Sequence, residues 1–145
     1  MNSLKIGLFA ALLLVASAML AQGILSSSYR FGNVGSVKAI GVGVYWDAAC
    51  TSPVSSIAWG VLEPGETKNV TVYIRNEGNS MATLAMRTEN WRPPEAGAFI
   101  ELTWDYDGQW LAPMAVIPVT FSLHLSGDVQ NIDSFAFDII VSAVG

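Results

Sequence analysis

Cysteine is nearly missing from this sequence, and its scarcity removes a whole class of exported scaffolds. Cys50 stands alone, so no disulfide closes within the chain and a small fold stapled by bridges is excluded. In an exported chain a lone Cys50 is a free thiol, an intermolecular link or an incidental core residue, and the last is the usual behaviour of an unpaired cysteine. Histidine is equally scarce. The one residue, His124, is too few for a blue-copper set or a zinc site. It falls on the polar side of an alternating run between Leu123 and Leu125, where it reads as a solvent-facing strand residue rather than the base of a hydrolytic triad.

Positive charge is sparse too. From Val37 onward there are five basic residues (Lys38, Lys68, Arg75, Arg87, Arg92) against all twelve acidic ones, a net of −7. Without a run of Lys or Arg to neutralise phosphates, nucleic acid is excluded as a partner. Helical periodicity is absent after residue 25. Metal ligands at calcium-loop spacing are incomplete: Asp105-Tyr106-Asp107-Gly108 begins such a loop, but Gln109, Trp110 and Leu111 follow where further oxygens are needed. A hairpin turn is the expected use of those residues. Glu89, Glu95 and Glu101 flank a Trp91 loop, yet so small a domain leaves little room for the cleft that paired catalytic carboxylates need. No enzyme and no cofactor is expected.

What the chain has in abundance is apolar residues, 52% against 13% charged. Ile6 to Leu25 runs twenty positions without a charge, enough for a helix of about 30 Å, the thickness of a bilayer core. Lys5 and the N-terminal amine precede it, which keeps the N-terminus cytoplasmic and places the rest outside. Ala16-Ser17-Ala18 fits a signal-peptidase site, so residues 1–25 are either a cleaved signal or a retained anchor holding the chain to the membrane through 6–25. A pilin-type leader is a third reading, with Lys5-Ile6-Gly7 an imperfect match. All three predict an extracytoplasmic, cell-surface domain. Residues 26–36, rich in Ser and Gly, read as a tether.

From Val37 the period becomes two. Val37–Trp46 places Ile40, Val42, Val44 and Trp46 on one face. Further runs follow at 56–60, 67–76, 81–88, 99–105, 117–125 and 134–143, with Pro-Gly, Asn/Gly and Asp/Gly turns between most of them. Seven short strands, each with one apolar face, predict an all-β, seven-stranded Ig-like β-sandwich over residues 37–145, preceded by the N-terminal hydrophobic helix.

Two candidate sites stand out. Trp91, Tyr106 and Trp110 lie in or beside turns, where exposed rings could face a carbohydrate or protein ligand, although Trp and Tyr also fill small sandwich cores and Trp104 has core phase. Asn69-Val70-Thr71 is an N-glycosylation sequon whose outer residues face solvent, so Asn69 could carry a glycan.

Residues 57–79, IAWGVLEPGETKNVTVYIRNEGN, carry a Pro-Gly turn and an alternating strand ending in Asn-x-Gly. With the hydrophobic segment, the tether and the strand from Val37, the layout resembles the TasA/camelysin group and archaeal bundling-pilus subunits. The resemblance covers about a third of the exported chain. It implies self-association by strand donation, each subunit's N-terminal strand completing the next subunit's sheet. The long apolar strand of Val37, Ile40, Val42, Val44 and Trp46 gives that a physical basis; its intramolecular counterpart is an ordinary first strand. The expectation is a non-enzymatic surface structural protein, a filament or envelope subunit. The alternative is a membrane-anchored module binding carbohydrate or another surface protein.

Overall fold

The computed structural model describes residues 32–145; the expected hydrophobic helix, its cleavage site and the first part of the tether lie outside the described residues. Alternating apolar residues and turn-forming glycines give eight strands there: β1 (Val34–Ile40), β2 (Val42–Tyr45), β3 (Ser56–Ala58), β4 (Thr67–Asn76), β5 (Thr83–Arg92), β6 (Ile100–Trp104), β7 (Val116–Leu125) and β8 (Ala136–Val144). One 3-10 turn, Pro94–Ala98, joins β5 to β6. The strands form two four-stranded sheets, ordered β3-β1-β8-β5 and β2-β4-β7-β6. Every pairing is antiparallel except one: β1 runs parallel to β8 over seven residues, from Val34 beside Ala136 to Ile40 beside Ser142.

The sheets meet through their apolar sides. Phe137, Ile139 and Val141 of β8 pack with Val72 and Ile74 of β4 and Val119, Phe121 and Leu123 of β7. All eight are at most 1% exposed, and each contributes roughly 1.5–3 kcal/mol by leaving water. The layers make an all-β sandwich with two poles. Gly32 enters at one, which also carries 59–66, 93–99 and 126–135; Gly41, 77–82, 105–115 and the end of β8 occupy the other.

The expected single strand Val37–Trp46 is divided. Gly41 adopts φ +74, a left-handed conformation open to Gly at little cost, and the chain passes there from the first sheet to the second. The break shifts the phase. Val42 and Val44 are core residues, whereas Ile40 and Trp46 are 56% and 42% exposed, so the four do not share a face. It also raises the strand count from seven to eight. Gly43 and Tyr45 are buried as well, because the Tyr45 ring folds over Gly43, where a Cβ would meet it at 2.4 Å.

The tether is shorter than expected. Strand structure begins at Val34, so Gly35 and Ser36 belong to β1. Gly35 is buried, and a Cβ there would lie 2.9 Å from Ile139 Cδ1 and 3.2 Å from Trp59 Nε1. A glycine that reads as linker is instead a close-packing position.

Candidate functional site

The N-terminal strand is held along its whole length within its own sheet. At the entry pole Asn33 clips both neighbours: its Nδ2 donates to Gly60 O at 2.6 Å and its Oδ1 accepts from Phe135 N at 3.2 Å. Val37 N donates to Ser55 O at 2.8 Å. Midway, Lys38 Nζ reaches Asp138 Oδ2 at 3.0 Å, and Asn90 Nδ2 donates to the same oxygen at 2.7 Å. Asp138 is 5% exposed, yet its carboxyl is held below the usual range, first by the Asn90 amide and then by Lys38, against the opposing effect of burial. At the far pole Gly41 O accepts Glu77 N at 3.2 Å.

The fit beneath β1 is thin. Gly35 lies over Trp59, Phe137 and Ile139 with no side-chain volume, and Val37 packs half-buried against the core. Trp59 Nε1, fully enclosed beside Gly35, is the one buried side-chain polar atom without a hydrogen-bond partner among the described residues. β3 has no sheet neighbour other than β1. Taking β1 away would strip one edge of β8 of its pairing and leave β3 unpaired.

The three candidate ligand-facing aromatics do not form one surface. Trp91 stacks on Phe137 at 4.2 Å between centroids and 10° between planes, as part of the core. Tyr106 is structural: its hydroxyl accepts Leu84 N at 3.1 Å and donates to Gln109 O at 2.5 Å. Only Trp110 is open, 58% exposed, and it stands at the pole opposite Trp91. Trp104 packs against Phe121 and Tyr106, as its phase predicts.

Asn69 and Thr71 are exposed on the outer side of β4, with Ser122 Oγ donating to Asn69 Oδ1 at 2.7 Å. His124 is exposed, its Nδ1 2.8 Å from Thr67 Oγ1, and its strand partner is Glu101. Glu101 and His124 line an open recess of about 290 Å³ with Gly97, Ile100 and Ser126. The expected hairpin turn at Asp105–Gly108 is instead the start of a longer connection from β6 to β7, in which Asp105 accepts Thr120 N at 2.8 Å and Asp107 accepts Gln109 N at 3.1 Å, so each carboxylate holds a backbone N–H. Among the described residues no group of three or more His, Cys, Asp or Glu is placed to hold a metal. Cys50 sits at φ +59 in a turn organised by Asp47, which accepts Thr51 N and Ser52 N at 2.9 and 3.0 Å.

Two residues with the largest structural roles escaped the sequence reading. Asn76 is 1% exposed and fully paired: Nδ2 donates to Ser80 O and Leu111 O, both at 2.9 Å, while Oδ1 accepts Gly78 N at 2.9 Å. The Asn-x-Gly pattern marked a turn and not this buried hub. Asp138 is the only charge within the apolar run from Phe135 to Val141. A lone acid in such a run needs a partner, and that was the available signal.

No family model matches this chain, and no curated protein matches it either.

Proposed function

We propose that the chain is a non-enzymatic, extracytoplasmic structural protein of the cell surface, an Ig-like module that assembles by donating β1 to another copy. The observation that carries this reading is the position of β1. In an Ig-type sandwich one sheet holds strands B, E and D and the other C, F and G. β4, β7 and β6 correspond to B, E and D, and β5 and β8 to C and F. The place of G beside F is held by β1, running parallel to β8. An N-terminal strand thus fills a slot of the kind that an intramolecular last strand fills elsewhere, and one residue, Gly41, links it to the body. A strand so attached can be supplied in trans by a second copy with the same contacts, because main-chain pairing is indifferent to which molecule provides it. The hydrophobic segment 6–25 supports export and membrane attachment.

The alternative of a carbohydrate-binding module is less well supported, since Trp91 and Tyr106 are engaged internally and Trp110 stands at the pole opposite Trp91.

A direct test pairs two chains, both Cys50→Ser, one with Val34→Cys and the other with Ala136→Cys. These positions are register partners, about 4.8 Å apart across the ladder. They lie at the entry pole, away from the Gly41 hinge. A disulfide between the two chains is the expected result. If only a double variant closes, and always within one chain, the donation reading is overturned.

A further inference from the structure

Among the described residues, five of the seven large apolar residues that remain exposed lie at the far pole. Ile40 (56%), Met81 (49%), Trp110 (58%), Met114 (60%) and Val144 (45%) are contributed by the end of β1, the start of β5, the β6–β7 connection and the end of β8. Pairing ties these elements together. Ile40 stands beside Ser142 and Thr83 beside Val144, Ala82 bridges Leu111, and Met114 N donates to Asn76 O at 2.8 Å. Scattered exposed apolar residues are ordinary, but a cluster on one pole marks a surface that another body covers. Arg75, next to Asn76 at the end of β4, is occupied: its Nε lies 2.5 Å from Glu77 Oε2.

The length of the Gly41 link identifies the body. β1 ends at Ile40 and β2 begins at Val42, so their end residues can be no more than about 7 Å apart at full extension. β2 starts at the far pole, with Val42 beside Asn76. A β1 seated in another copy's slot in the observed orientation carries Ile40 to that copy's far pole, beside its Ser142. The far poles of donor and acceptor are then forced together by a single residue of chain.

We infer that the occupant of this apolar pole is the same pole of a second copy, joined by reciprocal β1 exchange through Gly41 into a closed two-fold pair; the inference rests on the donation reading above. The same patch meets itself, so the interface is isologous and closes at two copies. An open, head-to-tail chain would need β1 inserted in the reverse direction, with Ile40 at the entry pole. The slot opposes that. Reversal about Val37 sets the Ala39 methyl where Gly35 sits, and a Cβ at Gly35 already comes 2.9 Å from Ile139 Cδ1. It also sets Ser36 in place of Lys38, removing the ammonium from Asp138.

The test uses the 145-residue chain in mild detergent, Cys50→Ser, with a spin label on Met114→Cys. The protein mass from light scattering and the distance between labels are read together, and inter-chain exchange is read separately by the Val34→Cys/Ala136→Cys disulfide. A two-copy mass, an inter-chain disulfide and close labels are expected, with the two-copy species lost in Trp110→Glu. An inter-chain disulfide accompanied by a ladder of larger masses, or by labels a strand length (about 30 Å) or more apart, keeps donation and overturns the closed pair. A one-copy mass with only intra-chain disulfides overturns both. Two copies with close labels but intra-chain disulfides overturn the exchange route.

Discussion

Lys38 of β1 and Asp138 of β8 are joined across 3.0 Å, and Asn90 of β5 holds the same carboxylate oxygen. One nearly buried acid therefore ties the N-terminal strand to its neighbour β8 and, beyond it, to β5. Its carboxyl is depressed below the ordinary range by Asn90 and Lys38. A depressed acid stabilises the fold above its unfolded value, about 3.9, and that contribution fades as pH falls through the lower folded value. The domain should therefore lose stability on the acid side of about pH 4. Asp138→Asn should flatten that part of the curve. Urea midpoints measured between neutral and acidic pH on both proteins check it.

Gly35→Val should destabilise the domain by about 1–3 kcal/mol, the usual cost of overpacking a filled interior. Its Cβ would crowd Ile139, Trp59 and Phe137 at 2.9–3.3 Å. The loss should appear in equilibrium unfolding, with backbone exchange in β1 rising more than in β4 or β7.

Asn76→Ala should cost about 2–3 kcal/mol, because it leaves buried backbone partners without their bonds. Ser80 O, Leu111 O and Gly78 N all depend on this side chain. Urea denaturation of the variant measures the loss.

Trp91 and Trp110 should separate cleanly. Trp91→Ala removes a ring stacked on Phe137 and should cost about 3–5 kcal/mol of stability. Trp110→Ala alters an exposed side chain and should stay within about 0.5 kcal/mol while weakening association between copies. Thermal unfolding and light scattering on the two variants make the comparison.

The sandwich was readable because the strands alternate: Phe137, Ile139 and Val141, or Phe121 and Leu123, point one way in sequence and lie in one core. What escaped depended on tertiary context. Gly41 does not disturb an apolar alternation on paper, yet its positive φ sends the chain into the other sheet and turns Ile40 outward. Gly35 resembled tether because only Ile139 and Trp59, over a hundred and over twenty residues away, reveal why it must be small. The ring candidates divide between two poles because a Trp beside a turn carries no mark of whether it faces inward. Trp91 does and Trp110 does not.

The most direct measurement of the central claim is the mass of the unsubstituted 145-residue chain in mild detergent, followed by light scattering across a wide concentration range and again after dilution. The account predicts multi-copy species that form with concentration and dissolve slowly on dilution, since release requires β1 to leave its slot. A one-copy mass at every concentration would contradict it.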